Sequence, residues 1–104
     1  MLSPLAPVFE YTPDGIDAYV EVQNFGEIDS SKSQVRLIVT EEAGEQVAAT
    51  ATVRPLAPFE KSLVRLVCDE RLLQKKGASV VVILESEGLP LEALTSKIEL
   101  PRIR

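Results

Sequence analysis

The sequence has no histidine, no tryptophan and one cysteine, Cys68. Without histidine, the side chain that most often serves as a base near neutrality is missing, and with it the Ser-His-Asp and Cys-His arrangements. A single cysteine closes no disulfide within the chain, so packing has to hold the fold. Disulfide-free domains occur on both sides of a membrane, so this assigns no compartment. Aromatics are scarce at two Tyr and three Phe, which leaves Val, Ile and Leu to build the core. That composition suits strands, and the lack of Trp weighs against a glycosidase cleft with aromatic platforms around two facing carboxylates. No glycine-rich phosphate loop, Cys/His metal set or apolar run of about 18 residues is present. The start, Met1-Leu2-Ser3-Pro4, has neither the basic residues nor the apolar segment of a secretion leader. A secreted parent would therefore be longer than this chain.

What is present fits one domain spanning residues 1–104. A hydrophobic fraction of 45% with 26% charged residues is that of an ordinary folded chain. The net charge of −5 argues against binding nucleic-acid phosphates and against anionic lipid surfaces.

The distinctive stretch is Val20-Glu21-Val22-Gln23-Asn24-Phe25-Gly26-Glu27, an alternating strand running into an Asn-x-Gly turn. Before it, the prolines of Ser3-Pro4-Leu5-Ala6-Pro7 forbid a helix or a central strand and predict an extended leader. A short strand over 8–12 and a Pro13-Asp14-Gly15 turn follow. From Ile16 to Asn24, Ile16, Ala18, Val20 and Val22 share one face and Asp17, Tyr19, Glu21 and Gln23 the other, the period of a half-buried strand. Residues 33–41 and 46–54 predict a hairpin around Gly44, with Val47, Ala49, Ala51 and Val53 on one face of its return strand. Its small alanines predict an edge position or a close approach of two sheets.

Pro55-Leu56-Ala57-Pro58 repeats Pro4-Leu5-Ala6-Pro7, but at that offset the following patterns disagree, so no duplication is inferred. A strand over 59–68 is predicted, more apolar at Val64, Leu66 and Cys68 than on its other face. Asp69, as an N-cap, and Gly77 bracket a short helical turn near 69–76. The apolar run Val80–Leu84 predicts a central strand, and 91–100 a final one. About seven strands joined by turns imply an all-β, immunoglobulin-like antiparallel β-sandwich, with a β-barrel as the alternative.

Val20-x-Val22-x-Asn24-x-Gly26, then Val35-Arg36-Leu37-x-Val39, then Leu56-x-Pro58 resemble the CARDB family, the cell-adhesion-related domain found in bacteria. The likeness spans roughly residues 16–85. It implies an immunoglobulin-like sandwich from a cell-surface or secreted protein, with Asn24 and Gly26 in its first turn and Leu56 anchoring the connection into the next strand. Phe59 departs from the family, which usually has Gly there. The segment 85–92 lacks the family's Asn-rich ending, so the resemblance carries no ligand role there.

The residue chemistry favours structural roles. An Asn before a turn bonds nearby backbone, and Gly26 is expected to adopt an unusual φ. Cys68 reads as a small buried hydrophobe. Glu41, Glu42 and Glu45, and Glu85, Glu87 and Glu92, would suit Ca²⁺ only if they converged, and solvated charged loops are the favoured reading. No catalytic, cofactor-binding or metal residue is assigned, and no cofactor is expected. The expected function is non-catalytic: an interaction, adhesion or spacer module with a protein or carbohydrate partner, without nucleic acid or membrane insertion, monomeric in isolation. The alternatives are a carbohydrate-binding or Ca²⁺-dependent adhesion domain and an ancillary domain of a multidomain enzyme. The last strand, over 93–100, is the edge expected to accept a partner strand.

Overall fold

Alternation of apolar and polar side chains sets the architecture, and the longest alternating segment becomes the centre of a sheet. A computed structural model describes residues 2–42, 44–74, 78–86, 89–98 and 100. Its strands are β1 (Leu2–Pro4), β2 (Val8–Thr12), β3 (Gly15–Asn24), β4 (Ser33–Glu41), β5 (Gly44–Val53), β6 (Lys61–Cys68), β7 (Ser79–Ser86) and β8 (Leu89–Lys97), with one short helix, α1 (Glu70–Leu73), between β6 and β7. In the first sheet β3 is flanked by β1 and β2 on one side and by β6 on the other. The second sheet has the order β5-β4-β7-β8, and every pairing in both sheets is antiparallel. The all-β sandwich is thus the observed fold. No ladder joins the two sheets among the described residues, which removes the barrel alternative.

Counting β1 and β2 as one interrupted edge gives the seven strands predicted. The leader is more than extended chain: Leu2, Ser3 and Pro4 pair with Asn24, Gln23 and Val22. Pro4 and Pro7 are tolerated because this is an edge. In immunoglobulin constant-type domains the fourth strand joins the fifth, whereas here β5 stays with β4.

The core lies between the sheets. Val20 and Val22 from β3, Val35 and Leu37 from β4, and Val82 and Leu84 from β7 are fully buried. Val80–Leu84 is central as predicted, lying between β4 and β8. Val80, Val82 and Leu84 are sealed in the core, while Val81 and Ile83 are half-buried on the opposite face.

Several boundaries and faces differ from expectation. The 59–68 strand begins at Lys61, because Phe59 and Glu60 belong to a turn. In β5 the predicted face breaks at a bulge: Leu37 pairs with Ala49 but Ile38 with Val47, leaving Ala48 as the extra residue. The slip turns Val47 out to solvent and lets both Ala48 and Ala49 be buried. β5 is an edge strand, one of the two positions its alanines predicted. Asp69 caps α1 by accepting from the Arg71 N–H at 3.0 Å, and Leu73 anchors the turn in the core. The predicted stop at Lys75, Lys76 and Gly77 lies outside the described residues. Gly15 and Gly44 take φ of +150° and +132° where the β2–β3 and β4–β5 hairpins turn, as the turn chemistry requires.

Candidate functional site: the loop pole around Asn24

Asn24 ends β3 and is completely buried, so its amide must find partners. Its Oδ1 accepts from the Gly26 N–H at 2.9 Å, an Asx turn. Its Nδ2 donates to the carbonyls of Ile28 at 2.8 Å, Leu56 at 3.0 Å and Ala57 at 3.3 Å. Two of the three motif segments that carry the CARDB resemblance, those of Asn24 and Leu56, 32 residues apart, are therefore tied together by one side chain. Ser30 reinforces the join: its N–H donates to the Leu56 carbonyl, and its hydroxyl accepts from the Leu56 N–H, both at 2.8 Å. Leu56 is then held fully buried at this end of the core. The structural role expected for Asn24 is what its hydrogen bonds describe.

Gly26 is different from expectation. Among the described residues, positive φ occurs at Gly15, Gly44 and Phe59, and Gly26 is not one of them. The Asx turn needs only its N–H. The unusual backbone sits instead at Phe59, with φ of 63°. Ala57-Pro58-Phe59-Glu60 is a turn closed by the Glu60 N–H donating to the Ala57 carbonyl at 3.0 Å. With proline second and positive φ third it is type II, a position that favours glycine. This explains why glycine would be usual where Phe59 stands.

The turn is braced from both sides. The Phe59 N–H donates to the Asn24 carbonyl at 2.7 Å, and the Asn24 N–H to the Glu60 carbonyl at 3.0 Å. Arg54 forks onto Glu60 with bonds of 3.1 and 2.7 Å, while Glu60 also accepts from the Ala57 N–H at 2.9 Å. The Arg54 hydrogen bond, followed by that backbone N–H, lowers the Glu60 carboxyl from 4.5 to about 2. The result is a fixed pole with an apolar surface. Phe25 is 50% exposed, Ile28 79% and Phe59 60%. A bulky side chain held in a left-handed conformation and left in water is an outlier of the kind found at functional positions.

The other residues singled out in the sequence lie elsewhere. Cys68 ends β6 at the opposite pole, buried, with its thiol pushed up to about 11 chiefly by desolvation. Glu85 faces Arg36 at 3.7 Å. Among the described residues no three His, Cys, Asp or Glu side chains come together as a cation would require, and Glu87 lies outside them. β8 is the outer strand of its sheet, at the edge expected for the last strand.

Sequence reasoning missed Asp17. Alternation puts it on the solvent side of β3, yet it is 2% exposed and accepts from Arg65 Nε at 2.6 Å. Cross-strand register sets this pair, with Tyr19 opposite Arg65 and Asp17 opposite Val67. Phe59 carried a visible signal, its place after Pro58 in a turn.

Fold and pole together define the chain as an immunoglobulin-like β-sandwich with one apolar loop end. No family model matches the chain, and no curated protein does. Among solved structures it is similar to DesR, a β-glucosidase from Streptomyces venezuelae crystallised with D-glucose. The identity is 19% and the TM-score 0.60, over 95% of this chain and 15% of that one. The likeness concerns the fold, and this chain spans only a small part of that protein's length.

Proposed function

We propose that the chain is a non-catalytic interaction or spacer module of a longer bacterial cell-surface or secreted protein, the reading the CARDB resemblance implies. The observation that carries it is the Phe25, Ile28 and Phe59 pole, where a strained aromatic is kept exposed on a rigid, hydrogen-bonded base. Exposed aromatics on a fixed base are typical anchors of a protein contact. A second reading, an ancillary domain of a multidomain enzyme, is favoured by one finding: a similar fold occupies 15% of a β-glucosidase chain.

Hydrogen exchange of residues 24–30 and 55–60 in this chain, compared with the same residues in the natural full-length protein, tests the proposal. Slower exchange is expected in the longer protein. Phe59→Gly should remove that added protection while raising the stability of the isolated chain by about 0.5–1 kcal/mol, because glycine takes the left-handed conformation without strain. Identical exchange in both contexts would rule the pole out as an interface. Neighbouring catalytic sequence in the natural gene would favour the enzyme-ancillary reading.

A further inference from the structure

The solvent side of the first sheet carries a second apolar surface, far from the pole's aromatics in composition. Leu5, Val8 and Leu63, with half-buried Tyr19, line a groove of about 580 Å³ walled by Glu10 and Glu21. Val8 is 64% and Leu63 65% exposed, on strands flanking β3. The floor is rigid, since Tyr19 sits on the central strand between its partners Val8 and Arg65.

The cations beside the groove are already engaged. Arg65 is bonded to Asp17 at 2.6 Å, and Lys61 lies 3.8 Å from Glu21. Glu10 has no ion-pair partner among the described residues. Lys61 thus offsets Glu21, and the groove is apolar in its floor with the unpaired negative charge of Glu10 at its wall, within a chain of net charge −5. That combination discriminates among occupants. A second copy brings another net charge of −5 to the same face, and an anionic lipid surface is likewise repelled.

We propose that this groove docks a polypeptide segment in which apolar side chains are flanked by lysine or arginine, the apolar groups entering between Leu5, Val8 and Leu63 and a flanking cation facing Glu10. The inference rests on the reading of the chain as an interaction module, but on a different surface from the Asn24 pole.

The test is an NMR titration of the isotope-labelled 104-residue chain with three synthetic seven-residue peptides. One has Leu-Phe-Leu between pairs of lysines, one has glutamates in place of the lysines, and one has serines in place of the apolar residues. The lysine-flanked apolar peptide is expected to shift Val8, Glu10, Tyr19, Glu21 and Leu63 at millimolar concentration. The glutamate-flanked peptide should bind at least about fivefold more weakly, as expected for opposed charges. Leu63→Ser, an exposed change that should leave the rest of the spectrum intact, should abolish the shifts. No shifts at these residues, or equal shifts from both charged peptides, would overturn the proposal. So would self-association of the free chain that Leu63→Ser eliminates, since the occupant would then be a second copy. None of these results touches exchange at Phe25 or Phe59, so the groove and the pole stand or fall separately.

Discussion

At the scale of single residues, Asn24 does most to define the loop pole. Asn24→Ala would take a donor from each of the Ile28, Leu56 and Ala57 carbonyls, of which Leu56 keeps the Ser30 N–H and Ala57 the Glu60 N–H, and a loss of about 2–3 kcal/mol in denaturant unfolding is expected. Asn24→Asp should destabilise the fold further, because a carboxylate would face those same carbonyls. The role of Asn24 was legible in its sequence, since an Asn followed by Gly two residues on describes an Asx turn by local chemistry alone. What was not legible is which distant backbone it also holds. Leu56 and Ala57 reach Asn24 only through the tertiary fold, and no pattern within residues 20–27 encodes them. Asp17 is a similar case: alternation tells which way a side chain leaves the strand, whereas its burial comes from the neighbours laid over it by β6.

At the scale of elements, the strands were readable because period-two alternation is a local signal, and β3, β4 and β7 emerge close to their predicted limits. The bulge in β5 was hidden because Gln46–Arg54 alternates smoothly in composition, and only pairing with β4 displaces Ala48. The turn before β6 yields a pH prediction. Glu60 has a lowered folded pKa, so its contribution is present above the unfolded value of 4.5 and is lost as pH falls toward about 2. The Phe59 and Glu60 amides should therefore exchange faster, relative to those of β7, as pH drops through that window, once intrinsic exchange rates are corrected for. An NMR titration of the Glu60 carboxyl with a midpoint near that of an ordinary glutamate would contradict the bracing role of Arg54.

At the scale of the whole molecule, one core serves both sheets, so damage to either should be felt by both. Leu84→Ala is expected to cost about 2–5 kcal/mol and to shift unfolding reported by the fluorescence of Tyr11 and Tyr19, both on the opposite sheet, as much as unfolding reported by circular dichroism. Separate transitions would mean that the sheets unfold independently. The strands run lengthwise: ten residues at about 3.3 Å each exceed the 28 Å second dimension and must follow the 41 Å axis. β1 starts beside Asn24 at one pole, and β8 finishes beside Ser79 at the other. Tension applied through these two strands would thus pull each along its own length, loading the backbone bonds to β3 and β7 together in shear instead of peeling them one by one. A sandwich strung this way can carry a mechanical load between whatever is joined to its two ends.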